Sequence, residues 1–415
     1  MHLSPFVSCS SALFCSHKIA ISFLFKSFRT LLVKHPGWGI PLVLSFILLC
    51  PARLPSQTSA SSPAQAISLE QDGKLDEAID VWRAVVAANP RDAAAFASLG
   101  VDLAKLQKYS DAAAAYRKAL ALNSRLPGIE LNLGLAEFKQ GHFPAAIAPL
   151  RAALVAQPQD LQARTLLGLS YYGANRFADA SNSLAIAAKA EPANIELRKV
   201  LAQSCLWAKK FDCALNEFRQ IAERDPNSPA AHVLMGEALD GLGKTGEAIA
   251  EFEEAAKVAP REPNVHFGLG YLHWKLKQYD EAAAEFNAEL AVDPDNAQAL
   301  AYLGDVAMKQ NDPDGALKLF QKALEAHKDI RIAYLDRGAI LAERGQNQEA
   351  IVALKRAIEL DPEQPDAHFR LGRVYQASGA AAAAQKEFAK VRELHNKSEE
   401  DVARKMSAAP PPLPH

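Results

Sequence analysis

Three small groups of residues have types and spacings that could do chemistry. Gly243-Lys244-Thr245 spells the second half of a phosphate-binding loop, in which backbone amides cradle phosphate oxygens and lysine neutralises them. The full loop needs a glycine five positions before Gly243, and Ala238 stands there. His266 and His273 lie seven residues apart and could share one helix face as metal ligands, but no third ligand joins them. Cys205 and Cys213 lie eight apart. They read either as one disulfide of an exported protein or as two small buried hydrophobes. The sequence has no H-E-x-x-H, no G-x-S-x-G and no cysteine pair at metal spacing. The expectation is no enzyme and no cofactor.

Charge narrows the partner. The 415 residues carry 46 basic and 48 acidic groups, unevenly spread. Residues 1–60 hold five basic groups (Lys18, Lys26, Arg29, Lys34 and Arg53) and no acidic one, so the remaining 41 basic groups face 48 acidic, a formal charge of −7. A mildly acidic body argues against nucleic acid, which calls for a net basic face.

Residues 1–60 read as a targeting segment. Lys34-His35 precede the apolar run Gly37 to Cys50, and a polar stretch then ends in Thr58-Ser59-Ala60, a small-x-small signal. That is the order of a signal peptide, and the apolar run of 14 residues is short for a membrane span. The alternative is an uncleaved anchor, the one route by which the chain would touch a membrane. The expected location is the periplasm, or the membrane facing it.

What must position any site is an internal repeat. Alanine recurs every 34 residues, at 78, 112, 146, 180, 214, 248, 282, 316, 350 and 384. Four residues beyond each stands a large apolar side chain: Trp82, Tyr116, Leu150, Leu184, Phe218, Phe252, Phe286, Phe320, Leu354 and Phe388. Twelve before it comes glycine, or alanine at 66 and 202; twelve after it, proline occurs seven times. The frame runs from Ser59 to Ser398 as ten units, with the array itself from 61 to 398. Each unit reads as helix, turn, helix, turn. The small residues mark where two antiparallel helices touch, and proline closes the second helix because it lacks the N–H to continue. One such unit cannot bury its own apolar faces, so the units must stack. In this frame Gly243 takes the fifteenth place, between the two helices, where Gly141, Gly345 and Gly379 also fall. His232, His266 and His368 share the fourth place, which reads as a packing position.

The element Leu167-Gly168-Leu169-Ser170-Tyr171, followed by Ala180, Leu184 and Pro192, resembles the tetratricopeptide repeat (TPR) family. Ser124, Lys328 and Asn396 replace the closing proline in three units. The resemblance implies an all-α fold, a right-handed α-solenoid of stacked antiparallel helix pairs, with a concave groove lined by the first helix of each unit. Ser398-Glu399-Glu400-Asp401 reads as an N-cap with acidic residues after it, so a capping helix is expected over 399–407. Residues 408–415 read as a proline-rich tail, expected to be disordered.

In such an array the first-helix places 2, 5, 6, 9, 12 and 13 face the groove. They gather Leu131, Asn132, Leu135, Phe138, Leu169, Tyr172, Lys199, Gln203 and Trp207, then Glu237, Asp240, Phe267, Tyr271, Trp274, Tyr302 and Asp305. Aromatic anchors beside a few polar groups make a protein-recognition surface; the competing reading is that they pack between neighbouring first helices. The carboxylate clamp of some TPR adaptors is absent, because Lys199 and Gln203 are followed by Leu234 where it needs an asparagine. The expected function is a non-catalytic protein-binding scaffold of the cell envelope. The alternative is an accessory subunit that positions a polymer-processing enzyme or stacks polysaccharide on the groove aromatics.

Overall fold

The structure, a computed structural model, describes residues 61–407. The expected leader over 1–60 and the tail over 408–415 lie outside those residues. All regular structure among the described residues is helical. Ten first helices alternate with ten second helices. In chain order the pairs are α1 (Pro63–Gln71) and α2 (Leu75–Ala88), α3 (Ala93–Lys105) and α4 (Tyr109–Leu122), α5 (Ile129–Lys139) and α6 (Phe143–Ala156). Next come α7 (Leu161–Gly173) and α8 (Phe177–Ala190), α9 (Ile195–Trp207) and α10 (Phe211–Ala222), α11 (Pro229–Gly241) and α12 (Thr245–Val258). The last are α13 (Val265–Lys275) and α14 (Tyr279–Val292), α15 (Ala297–Lys309) and α16 (Pro313–Ala326), α17 (Arg331–Glu343) and α18 (Asn347–Leu360), α19 (Pro365–Ala377) and α20 (Ala381–Ser407). The chain forms two compact units with their boundary between Glu217 and Phe218. Within each, helices pack on their chain neighbours, and first helices also touch first helices of the next repeat, as α5 does α7 and α15 does α17.

Local chemistry sets the helix ends. Asp92, Asp160, Asn194 and Asn296 accept the backbone N–H three residues on, at 2.9–3.1 Å, and so satisfy donors that the helix leaves unpaired. α5 and α13 lack such a cap and start two residues later, after Gly128 and Asn264 at φ +74° and +70°. All ten repeats place a left-handed residue between their two helices: Gly at 73, 141, 243, 345 and 379, but Gln107, Asn175, Lys209, Lys277 and Asn311 elsewhere. Gly243 is therefore a turn residue at φ +76°, and Thr245 opens α12. Backbone N–H bonds from Lys244 to the Leu239 oxygen and from Gly243 to the Asp240 oxygen, both 2.9 Å, close α11 as a Schellman turn.

The recurrent alanine is fully buried in nine repeats and 4% exposed at Ala384. The glycine in the first helix meets the bulky residue rather than the alanine. A Cβ on Gly168 would lie 2.5 Å from Leu184 Cδ2, and one on Gly304 would lie 2.6 Å from Phe320 Cε1. In the first unit Ile79, Trp82, Leu103 and Tyr116 build a core; in the second, Leu300, Phe320, Ile330 and Ile340 build one and Leu335, Leu354, Leu371 and Val374 another.

The C-terminal end differs from expectation. No helix starts at Ser398; α20 runs unbroken through it for 27 residues. Neither proline nor glycine interrupts 381–407, so the capping stretch 399–407 continues the last second helix. Among the described residues no helix is long and apolar enough to cross a membrane.

Candidate functional site

In the first unit, Leu131, Asn132, Leu135 and Phe138 stand half-buried on α5, with the Phe138 ring edge-on to Phe143 at 5.5 Å. Leu169 on α7 is buried, and so is Tyr172, at 3% exposure. The Tyr172 hydroxyl donates to Gln203 Oε1 on α9 at 2.9 Å, and its ring lies 5.5 Å from Trp207. Phe177 completes the cluster, 4.8 Å from Trp207. Lys199 is exposed and pairs with Glu196 of its own helix at 3.0 Å, outside this cluster.

In the second unit, Phe267 and Tyr302 are each 6% exposed, while Tyr271 and Trp274 are half-buried. Tyr271 stacks on Trp274 at 5.9 Å and meets Tyr302 edge-on at 5.6 Å. The Trp274 indole N–H donates to Asp305 Oδ2 at 2.6 Å, and Asp305 is in turn hydrogen-bonded to Asp336. Asp240 accepts from Lys275 at 2.6 Å. Glu237 is half-buried and makes no hydrogen bond or ion pair among the described residues; burial alone pushes its carboxyl up to about 7.

Leu169, Tyr172, Phe267, Tyr302, Asp240 and Asp305, expected to face a partner, are therefore buried and shape the surface from beneath. The reason is geometric. First helices of successive repeats approach closely, so places 9 and 12 of one fill the space beside places 6 and 9 of the next, as Trp274 to Asp305 and Tyr271 to Tyr302 show. Phe138, Trp207, Tyr271 and Trp274 keep part of their surface open.

The other chemical candidates resolve into structure. His266 Nδ1 lies 2.7 Å from Glu285, whereas His273 Nδ1 lies 2.9 Å from Gln278, so the two imidazoles are committed to different partners. His232 and His368 repeat the first arrangement with Glu251 and Glu387, and the second nitrogen of His232 reaches the Pro226 carbonyl at 3.1 Å. Among the described residues no group of three or more metal-ligating side chains comes together. Cys205 and Cys213, with Cα atoms 5.8 Å apart, are joined in a disulfide.

Four buried acids escaped the sequence reading, Asp102, Glu137, Glu289 and Asp336, and the last two lie in the second unit. Asp336 falls in the ninth repeat at a first-helix place that the aromatic signal did not reach. Glu289, fully buried on α14, accepts the backbone N–H groups of Asn264 at 2.8 Å and Phe267 at 3.1 Å and the Asn296 amide at 3.1 Å. It is the cap that α13 lacks in its own sequence. A missing Ser, Asp or Asn before Pro263, together with a glutamate on an otherwise apolar helix face, is the only signal that pointed to it.

The family comparison agrees with the repeat. A family model described as "Tetratricopeptide repeat" matches residues 64–127, 98–161, 131–195, 233–297 and 269–329. A second model of that description matches 171–238, and one described as "TPR repeat" matches 338–379. No protein with a curated description matches the chain. Among solved structures, one titled as the APC/C hetero-tetramer Cut9-Hcn1 is 15% identical with a TM-score of 0.49, covering 79% of each chain. YrrB, titled a TPR protein with an unusual peptide-binding site, is 22% identical over 46% of this chain and 97% of its own, with a TM-score of 0.35. MamA is 22% identical over 40% of this chain and 97% of its own, with a TM-score of 0.34. With its 34-residue period, paired helices and repeat matches over more than half its length, this chain belongs to the tetratricopeptide repeat family.

Proposed function

We propose that the protein is a non-catalytic scaffold of the cell envelope that holds a segment of a protein partner on its first-helix surface. The observation that carries this is the mixed, half-open face of the first helices. Asn132, Leu135 and Phe138 on α5, and Tyr271 and Trp274 on α13, expose apolar surface beside polar groups, while buried neighbours lock their positions. Such pre-ordered aromatic anchors suit peptide recognition, because little side-chain freedom is lost on binding. The leader-like order of residues 1–60 and the joined Cys205–Cys213 pair support export to an oxidising compartment.

The test is site-specific photo-crosslinking in intact cells. A crosslinker at Asn132 or Tyr271 is expected to capture a discrete partner. One at Val155 or Val352, which are 83% and 63% exposed on second helices, is expected to capture none. Equal capture from both sets overturns the surface assignment. Cysteines that a maleimide labels in cells without prior reduction overturn the export reading.

A further inference from the structure

In the seventh repeat the face turned towards the next repeat is covered. Phe267, at the fifth place, packs on Phe286 at 5.9 Å, meets Tyr302 of the next first helix at 5.8 Å and is 6% exposed. Phe369 holds the same place in the tenth repeat and packs in the same way on Phe388, at 6.0 Å, yet it is 47% exposed. Tyr302 has no counterpart there among the described residues, and α20 continues through Ser407 as one helix instead of turning back over the pair. The second helix of this repeat also differs. At place 28 of the seventh to ninth repeats, Leu290, Leu324 and Ile358 pack into cores that include the next repeat's first helix. The tenth repeat carries exposed Arg392 there. Arg373 lies one turn beyond Phe369 on α19, and Arg392 one turn beyond Phe388 on α20. The two helices run antiparallel, so the arginines flank the aromatic pair at opposite ends. This repeat, residues 365–398, holds six basic groups against three acidic. All three acids are taken: Asp366 by Arg331, Glu387 by His368 at 2.6 Å and Glu393 by Lys390 at 2.6 Å. Arg373 and Arg392 are exposed and make no ion pair among the described residues.

We propose that this face of the tenth repeat is a second docking site, which takes an amphipathic α-helix of a partner protein laid where a further first helix would lie. An apolar residue of that helix covers Phe369 and Phe388, and acidic residues on either side of it reach Arg373 and Arg392. One turn to each side of the pair sets those acids about eight residues apart. An open aromatic centre with arginines around it is the composition of a binding hot spot, and each arginine gains a charge-assisted hydrogen bond from a carboxylate. A purely solvating end would have lost Phe369 as well as the apolar residue at place 28. A second copy of this chain fits less well: two such faces repel one another, and α1 turns exposed Gln65 and Ser68 outward rather than an apolar row. The site shares no residue with the half-open surface of α5 and α13, so either can fail without the other.

The test is fluorescence anisotropy with the full chain and two stapled helical peptides, N-acetylated and C-amidated, that share a leucine stripe. They differ only at two flanking positions about eight residues apart, glutamate in one and lysine in the other. The glutamate peptide is expected to bind about tenfold tighter than the lysine peptide. Phe369→Ser should weaken it by about tenfold, with an unchanged helical signal. Arg373→Glu combined with Arg392→Glu should reverse the preference, a result that misfolding cannot produce. Val352→Ser, on a second helix, should change nothing. Equal binding of both peptides, binding of neither, or binding that Phe369→Ser leaves intact overturns the site. Self-association of the full chain in sedimentation velocity that Phe369→Ser abolishes makes a second copy the occupant. Binding of the glutamate peptide only after Leu413→Asp makes the chain's own tail the occupant. Either of these results overturns the partner helix.

Discussion

Asp336 should make the second unit lose stability as pH rises through the neutral range. The residue is 3% exposed, hydrogen-bonded to Asp305, with Arg370 at 3.4 Å. Burial first, and then the charge of Asp305, raises its carboxyl from 3.8 to about 7 despite the opposing pull of Arg370 and Lys309. A carboxyl that holds its proton more tightly in the folded chain favours folding at low pH, and that advantage drains as pH climbs from the unfolded value to the folded one. At roughly 1.4 kcal/mol per pH unit, the full window from 3.8 to about 7 corresponds to about 4 kcal/mol. Asp336→Asn keeps the shape and a hydrogen bond to Asp305 but cannot ionise. Between about pH 5 and about pH 8 its stability should gain about 2–3 kcal/mol on the parent, because only the part of the window above pH 5 is crossed. Losing the pair with Arg370, whose side chain is 34% exposed, returns under about 1 kcal/mol. Hydrogen exchange read on peptides from α15 and α17, with both proteins at both pH values, measures this locally, which suits a stack whose repeats need not unfold together. A gap that stays constant with pH, or an asparagine variant less stable at about pH 8, refutes the reasoning.

Other side chains make equally definite claims. Glu289→Ala removes the acceptor for two backbone N–H groups and the Asn296 amide, and should weaken α13 by about 2–4 kcal/mol, seen as faster exchange over its first turn. Gly304→Val drives a side chain into the Phe320 ring and should cost about 3 kcal/mol or more, seen as a lowered urea midpoint. His232 is held above its ordinary value: burial works against its charge, but the Glu251 hydrogen bond and the Pro226 carbonyl outweigh it. The stability it adds is therefore complete below its unfolded value of 6.5 and is lost as pH rises through the higher folded one; His232→Gln should flatten the stability profile there. Reducing the Cys205–Cys213 bond, which closes a short loop, should lower stability by about 2 kcal/mol in a denaturation series with and without reductant.

The period of 34 made the helix pairs legible because packing at three places allows little choice. The bulky residue four after each alanine fills the space that the first-helix glycine leaves, so Gly168 and Leu184 announce one another. The inter-helix turn was legible only in part. Gly243 advertises a left-handed residue, but Lys209, Lys277 and Gln107 occupy the same conformation at φ +57°, +62° and +59° without any glycine signal. There the hydrogen bonds that close the first helix outweigh the cost for an L-residue, which is modest at a single position. Glu289 was hidden for a different reason. Its function is to cap a helix 25 residues earlier in the chain, a relation that no local pattern encodes.

The candidate surface was legible as a set of places but not as a set of exposures. Sequence period fixes which helix face a residue occupies, whereas the distance between successive first helices decides whether it reaches solvent. Tyr172 and Tyr302 lie on the expected face and are nonetheless buried at 3% and 6%, because a neighbouring first helix covers them, α9 over Tyr172 and α13 over Tyr302. Where the neighbouring place carries a bulky or charged side chain, the two close over each other, as Tyr271 and Tyr302 do. Where it carries glycine, a second-helix ring can take the place, as Phe252 does at Gly268. The same substitution of side chain by hydrogen that lets Phe320 close against α15 at Gly304 lets the Phe252 ring of the preceding repeat reach α13 at Gly268, so exposure on this face follows what the neighbouring helices carry.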